Sequence, residues 1–336
     1  EKNGGLEVIN YSEDFDKPAI NEDEVLVKVK ATSINMIDTV MRQGYPGLQI
    51  TFPHIPGGDI AGEIVETGTN ANEFKTGDRI VSFPIVLSER QDPKYVDNPQ
   101  LNFGWKFFGM HLPAGYGEYV AIPKSSIFKL PDNVSYEQAA TLPTAGLTAM
   151  HAIDSIANLQ AGDTFMVWGG SGGVGTFAIQ LAKQRGATVI TTTSTEEKAQ
   201  KLKEIGADFV YMRDDEQIVD KIKKEFPAGL DAILDYVGPT TFDKSFSLLR
   251  NDGRIMFCGM ITGREVTLNI QQTYFRHLNI NGLFLGSPNN MRDLITLLGT
   301  EEIVPIIDSV YDISEAKEAQ EHFESGNYVG KILMKF

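Results

Sequence analysis

The sequence predicts an α/β protein in two parts, a mostly-β half followed by a doubly wound parallel sheet. Three observations carry this. The stretch Thr164 to Gly175, TFMVWGGSGGVG, reads as a buried strand, a glycine turn and the start of a helix. After it, short apolar runs alternate with helical patterns, as βα units do. Before residue 130, short strands are punctuated by Gly and Pro turns, as in small barrels and sandwiches.

Length and composition set the bounds. The chain has 336 residues, more than one ordinary core, so two domains are expected. Hydrophobic residues at 42% and charged residues at 22% describe a soluble globular protein. No apolar run reaches the length of a membrane span, and no signal peptide is expected ahead of the first strand. The net charge of −15 argues against nucleic acid and anionic membranes as partners. A phosphate site on such a chain has to be locally basic. The single cysteine, Cys258, forbids an internal disulfide and fits a reducing, cytoplasmic setting.

The glycine stretch predicts a dinucleotide site. Gly170, Gly172 and Gly175 fit G-x-G-x-x-G between the run Phe165 to Trp168 and the helical pattern Val174, Phe177, Ala178, Leu181 and Ala182. In this motif the first glycine permits a tight turn. The second lets a pyrophosphate approach the backbone, and the third lets helix and strand pack closely. The helix start, with Gly173 and Val174, offers N–H groups and positive potential to phosphates.

The elements follow in order. Val25, Val27 and Val29 alternate with Leu26, Lys28 and Lys30 in a strand with one wet face. Residues 62–68, 78–83 and 118–122 are further short strands. Residues 32–53, with Asn35, Asp38 and Tyr45, read as irregular. So do residues 84–115, a long loop carrying Phe103, Trp105, Phe107 and Phe108. Ser135 and Gln138 suggest a capping box for a helix that ends at Pro143, and a second helix is expected from Thr144 to Ile156. Strands are expected at 164–169, 187–193, 208–211, 231–236, 253–259 and 279–285, enough for a dinucleotide-binding sheet. The last helix, Ile313 to Ser325, and strand, Lys331 to Phe336, are expected to return to the N-terminal half.

Several ordered motifs together resemble the medium-chain dehydrogenase/reductases, of the zinc-free quinone oxidoreductase type. They are Asn35-x-x-Asp38, Pro56-Gly57-x-Asp59-x-x-Gly62, Gly77-Asp78-Arg79-Ile80 and Gly115-Tyr116-Gly117-Glu118-Tyr119. Ala139 to Pro143, Ala145 to Ala149, Gly169 to Gly175 and Gly330-Lys331-Ile332 complete the set. The resemblance implies a GroES-like catalytic domain from residues 1–130 and 289–336 flanking a Rossmann domain at 131–288, with the active site in the cleft. In zinc members of that superfamily the metal is held by Cys, His and a further Cys or Asp. Asn35, Gly58 and Thr144 stand at the matching positions, and none is a strong zinc ligand. The loop 84–115 also lacks the four cysteines of a structural zinc site. No metal is therefore expected.

The resemblance places Asn35 at the substrate pocket with Asp38 as polar support, Tyr45 as a candidate acid and Thr148 beside a nicotinamide. Turn, cap and packing roles are the alternatives for these residues. Val237 and Gly238, after Asp235-Tyr236, are expected along the ribose and nicotinamide, at the carboxyl end of a strand. NAD-specific sheets carry an acid about twenty residues past the glycines. Here Thr191 to Ser194 stand there instead, with Thr193 at the usual position. With Ser194, Lys198 and Arg213 nearby, NADPH is the expected cofactor. The five scattered histidines and Cys258 read as structural.

The expected function is NADPH-dependent reduction of quinones or α,β-unsaturated carbonyl compounds. The alternatives are an enoyl-thioester reductase of the same fold and a non-catalytic NADPH-binding structural or sensor protein. A homodimer or homotetramer is expected, and the resemblance suggests a dimer through the last Rossmann strand, around Leu278 to Leu285.

Overall fold

The computed structural model describes residues 2–45, 47–88 and 91–336. The chain begins with the long strand β1 (Glu24–Ser33), helix α1 (Met36–Gln43) and strands β2 (Ala61–Thr67) and β3 (Arg79–Ser82). A small hairpin of β4 (Ile85–Val86) and β5 (Lys106–Phe107) follows, then β6 (Tyr119–Pro123) and β7 (Ile127–Lys129). Helix α2 (Tyr136–Ala139) starts on the Ser135–Gln138 capping box expected for it. Pro143 does not end the helical path. The chain continues through a wide turn at Leu142–Gly146, helix α3 (Leu147–Met150) and a second wide turn at His151–Ala157.

The βα series then runs β8 (Thr164–Val167), α4 (Gly173–Gln184), β9 (Thr188–Thr193), α5 (Glu196–Glu204), β10 (Phe209–Met212) and α6 (Ile218–Glu225). It continues with β11 (Leu230–Asp235), α7 (Pro239–Leu248), β12 (Leu249–Phe257), α8 (Ile270–Phe275) and β13 (Asn279–Gly282). The chain closes with α9 (Pro288–Gly299), β14 (Ile307–Asp312), α10 (Ala316–Ser325) and β15 (Lys331–Lys335).

Two compact units result. Residues 1–147 with 287–336 form one, and residues 148–286 the other. Residues 131–147 thus pack with the first unit, past the turn at Pro131 where the sequence suggested a boundary. Arg79 anchors them by donating to the carbonyls of Pro131 (3.1 Å) and Asp132 (2.9 Å).

The second unit is a parallel six-stranded sheet in the order β10-β9-β8-β11-β12-β13. This is the doubly wound dinucleotide-binding order. Met166, Ile190, Ile233 and Ile255 are fully buried in it, which is why its strands read as continuous apolar runs.

The first unit is a seven-stranded sheet organised on β1. One edge of β1 pairs with β2. The other pairs with β6 along Glu24–Lys28 and with β15 along Ala31–Ser33. Val25, Val27, Val29, Ile64 and Ile80 form its core. The return of the C-terminal strand gives the hydrogen bond from Ile34 N–H to the Ile332 carbonyl, 2.9 Å.

Two regions read as irregular hold more structure than their composition suggested. In residues 32–53, β1 runs on to Ser33 and α1 follows. The carboxylate of Asp38 caps that helix by accepting the Asn35 N–H at 2.8 Å, one half of a capping box with Asn35. In residues 84–115 the aromatic group divides: Phe107 and Phe108 are buried, while Phe103 is almost fully exposed.

Candidate functional site

In the first unit the site is a buried polar cluster around Asp59. Asp59 is wholly buried and comes from the loop that enters β2. Its Oδ1 accepts from the Thr144 N–H (2.9 Å) and hydroxyl (2.7 Å). Its Oδ2 accepts from the Asn35 amide at 2.7 Å, from the Ser33 hydroxyl, and from the Lys331 ammonium at 3.4 Å. Thr32 donates to the Asp59 carbonyl at 2.6 Å. Lys331, also buried, donates to the Asn35 Oδ1 (2.6 Å) and the Ile34 carbonyl (2.8 Å). A buried charge is tolerated only when paired and hydrogen-bonded, and this pair is both.

Asp38 adds a second acid. Its oxygens accept from the Asn35 N–H at 2.8 Å and the Gly57 N–H at 3.2 Å. Burial pushes its carboxyl up to about 7, with the Asp59 charge adding to the rise and Lys331 opposing it. Burial likewise lowers the Lys331 ammonium from its ordinary value, against the pull of Asp59 and Asp38. The buried Tyr116 hydroxyl is held well above the usual phenol range, chiefly by burial.

The structure brings Asn35 and Thr144 together on Asp59, which the sequence reading left without a role. Thr144 lies inside a wide helical turn rather than capping a helix, and its N–H and hydroxyl are both spent on Asp59. At Gly58 a Cβ would stand 2.6 Å from the Phe107 ring. These three positions offer an amide, a hydroxyl and no side chain, a donor set that does not fit zinc. Among the described residues no group of three or more His, Cys, Asp or Glu side chains is placed to hold a metal ion. Tyr45 lies just past α1, at the opposite end from Asn35, about 12 Å along the helix axis.

In the second unit the site is the turn between β8 and α4. Gly169, not Gly170, takes the left-handed conformation (φ 72°), and its carbonyl accepts the Gly172 N–H at 3.1 Å. Gly170 is a close-approach glycine: a Cβ there would lie 2.2 Å from the Thr191 hydroxyl. Gly175 has the expected packing role, since its Cβ would lie 2.7 Å from the Gly170 backbone. At Gly172 the nearest atom to a Cβ is the Tyr236 hydroxyl at 3.3 Å. Helix α4 begins at Gly173, so the N–H groups of its first turn, Val174 and Gly175 among them, have no partner within the helix. This cradle fits a pyrophosphate.

A second buried acid holds the cradle. Asp235 Oδ1 accepts from the Val237 and Gly238 N–H groups (both 3.0 Å) and the Thr241 hydroxyl (2.9 Å). Its Oδ2 accepts from Ser245 at 2.9 Å, and Ser245 accepts from the Trp168 indole at 2.6 Å. Tyr236 donates to the Gly169 carbonyl. The Val237 and Gly238 N–H groups are therefore engaged within the unit. Val237 also offers its carbonyl to Thr262, at 2.9 Å.

At the end of β9, the Thr193 hydroxyl is buried without a hydrogen-bond partner among the described residues. Arg213 is tied to it through the backbone, N–H to Thr193 carbonyl at 2.8 Å, while its guanidinium is exposed and 3.4 Å from Asp214. Ser194 is half-buried. Lys198 is mostly buried, and its N–H meets the Thr195 cap at 3.3 Å. Thr148 is buried in α3. Cys258 is half-buried rather than in the core, and burial pushes its thiol up to about 12.

Residues 21–132 match the alcohol dehydrogenase GroES-like domain and residues 173–300 the zinc-binding dehydrogenase family. A zinc-type alcohol dehydrogenase-like protein of Schizosaccharomyces pombe is 31% identical over 333 residues, covering 96% of this chain and 94% of that protein. The chain belongs to the medium-chain dehydrogenase/reductase superfamily. The quinone oxidoreductase of Homo sapiens is 29% identical over 339 residues, covering 98% and 94%. The crystal structure of an NAD-dependent alcohol dehydrogenase superposes with a TM-score of 0.94 at 28% identity, covering all of this chain and 98% of that one. The protein is an oxidoreductase of this superfamily, whose members bind nicotinamide cofactors. Among the described residues no helix is long and apolar enough to cross a membrane.

Proposed function

We propose that this oxidoreductase uses NADPH to reduce quinones or α,β-unsaturated carbonyl compounds, without zinc, in the cytoplasm. The observation that carries the reading is the Asp59 cluster. Where zinc relatives place metal ligands, this chain has Asn35 and Thr144 hydrogen-bonded to a carboxylate. Alcohol oxidation needs the hydroxyl proton removed as hydride leaves, which zinc assists as a Lewis acid. A conjugated acceptor needs less, because its oxygen takes the incoming charge. Asn35 would donate to that oxygen, as a donor in an oxyanion hole does.

The glycine cradle, from Gly170 to Gly175, would hold the dinucleotide pyrophosphate. The cofactor when bound supplies the hydride. The unpartnered Thr193 hydroxyl, with Ser194, Lys198 and Arg213, would meet the 2′-phosphate. Thr148 would flank the nicotinamide. Tyr45 would give the proton to an enone product, so Tyr45→Phe is expected to slow enone reduction by roughly 10²–10⁴-fold and quinone reduction less.

The test is a screen of quinones, enones, enoyl thioesters and simple alcohols with NADPH and NADH, beside elemental analysis of tag-free protein. Quinone or enone turnover with less than stoichiometric zinc supports the reading. Efficient oxidation of ethanol with no turnover of any conjugated acceptor overturns it.

The reading includes self-association through β13. That edge strand leaves Ile280 exposed, Phe284 just past it is exposed too, and α8 before it exposes Ile270, Tyr274 and Phe275. Light scattering should give a dimer or tetramer, and Ile280→Lys should lower the mass; a monomeric wild type refutes this part.

A further inference from the structure

We propose that Lys331 and Asp59 are positioning residues whose joint task is to fix and polarise the Asn35 carboxamide. The inference rests on the reading of Asn35 as the donor to the acceptor oxygen. It concerns how a freely rotating amide is made into a directional one.

The chemistry of the partners fixes the amide. An ammonium only donates, so the Asn35 atom 2.6 Å from Lys331 is its oxygen. A carboxylate only accepts, so the atom 2.7 Å from Asp59 is its nitrogen. Rotating the amide by half a turn would set oxygen against carboxylate and N–H against ammonium. Both contacts would then become repulsive inside a buried site. One Nδ2 hydrogen is taken by Asp59, so the direction of the second is set as well.

The clamp is itself held. Lys331 opens β15, and its ammonium also donates to the Ile34 carbonyl at 2.8 Å, one residue from Asn35. Asp59 is fixed on its other oxygen by Thr144 and through its carbonyl by Thr32. The amide is thus gripped at both ends by charged groups that cannot shift independently. An ammonium on the amide oxygen also draws charge from the nitrogen, which strengthens its remaining N–H as a donor. A merely structural ion pair would do neither.

The experiment is a double-mutant cycle with 1,4-benzoquinone and NADPH, paired with NMR of protein labelled with ¹⁵N-asparagine. Asn35→Ala is expected to lower kcat roughly 10²–10³-fold, as loss of one oxyanion donor does. Lys331→Met should lower kcat roughly tenfold to a hundredfold, leaving the NADPH dissociation constant within about twofold, because only the donor's aim and strength change. Added to Asn35→Ala, it should cost no more than about twofold further, since the two act as one unit. The side-chain amide signal of Asn35, assigned by its loss in Asn35→Ala, should shift in Lys331→Met.

If Lys331→Met does not fold, Asp59→Asn with Lys331→Met removes both charges together and should show the same kcat loss. A folded Lys331→Met or double variant with wild-type kcat and an unmoved Asn35 signal overturns the clamp while Asn35→Ala remains impaired. Additive losses in the cycle also overturn it. Full activity in Asn35→Ala instead overturns the underlying reading of Asn35, and the clamp with it.

Discussion

Two buried carboxylates, Asp59 and Asp235, organise the two units in opposite ways. Both side chains are wholly inaccessible to solvent. Asp235 is satisfied by neutral donors, and four of its contacts lie within ten residues downstream: Val237, Gly238, Thr241 and Ser245. Asp59 faces a lysine 272 positions away, and its other partners come from β1, the loop before α1 and the turn at Thr144. The first is a local brace beside the glycine turn after β8. The second is a long-range junction whose charge depends on the C-terminal strand. A brace of neutral groups tolerates loss of its charge, whereas a charged junction does not.

That difference sets the order of expected effects. Asp59→Asn should be the most damaging, because it strands the buried Lys331 ammonium; breaking such a pair costs about 3–5 kcal/mol. The shift in the urea midpoint measures it, and combining it with Lys331→Met should recover most of the loss.

Next in size is a pH effect in the same junction. Asp38 is raised from an ordinary carboxylate value to about 7, so the folded protein holds a proton that the unfolded chain releases. Its contribution is full below the unfolded value near 4 and is lost as pH rises through about 7. The span should be on the order of a few kcal/mol. Urea midpoints from pH 4 to 8 should fall, and Asp38→Asn should flatten that slope.

A third prediction contrasts two threonine hydroxyls. Thr144 is bonded to Asp59, whereas the Thr193 hydroxyl is buried without a partner among the described residues. If Thr193 donates to a 2′-phosphate, Thr193→Val should lower kcat/KM for NADPH by roughly 10–100-fold, the worth of a charge-assisted hydrogen bond. It should leave NADH and the urea midpoint unchanged; equal loss with both cofactors would remove Thr193 from the cofactor site. The smallest effect is expected for Asp235→Asn, about 1 kcal/mol, since an amide oxygen keeps most of its acceptor bonds. A loss as large as that of Asp59→Asn would erase the contrast between the two acids.

The sequence by itself determined the six strands of the second unit and their order in the chain, with strand ends within four residues. Its inner strands read as apolar runs because they are buried on both faces, whereas the edge strand β13 is largely exposed, and its glycine motif lies within one strand, turn and helix. What such a stretch needs is near it in the chain, so periodicity and spacing suffice. Even there, the exchange of roles between Gly169 and Gly170 depended on φ and on the Thr191 hydroxyl across the sheet. In the first unit the sequence marked Asn35 and Thr144 and quoted Asp59 and Lys331 as motif letters, but gave those two no task. The one signal was a lone acid before the apolar run Ile60-Ala61 and a lone lysine opening the apolar strand Ile332 to Met334. Only the tertiary structure decided that these meet, because β15 pairs with the end of β1. No local pattern records a pairing between positions so far apart, and the energy of a buried charge depends on which opposite charge the fold delivers to it.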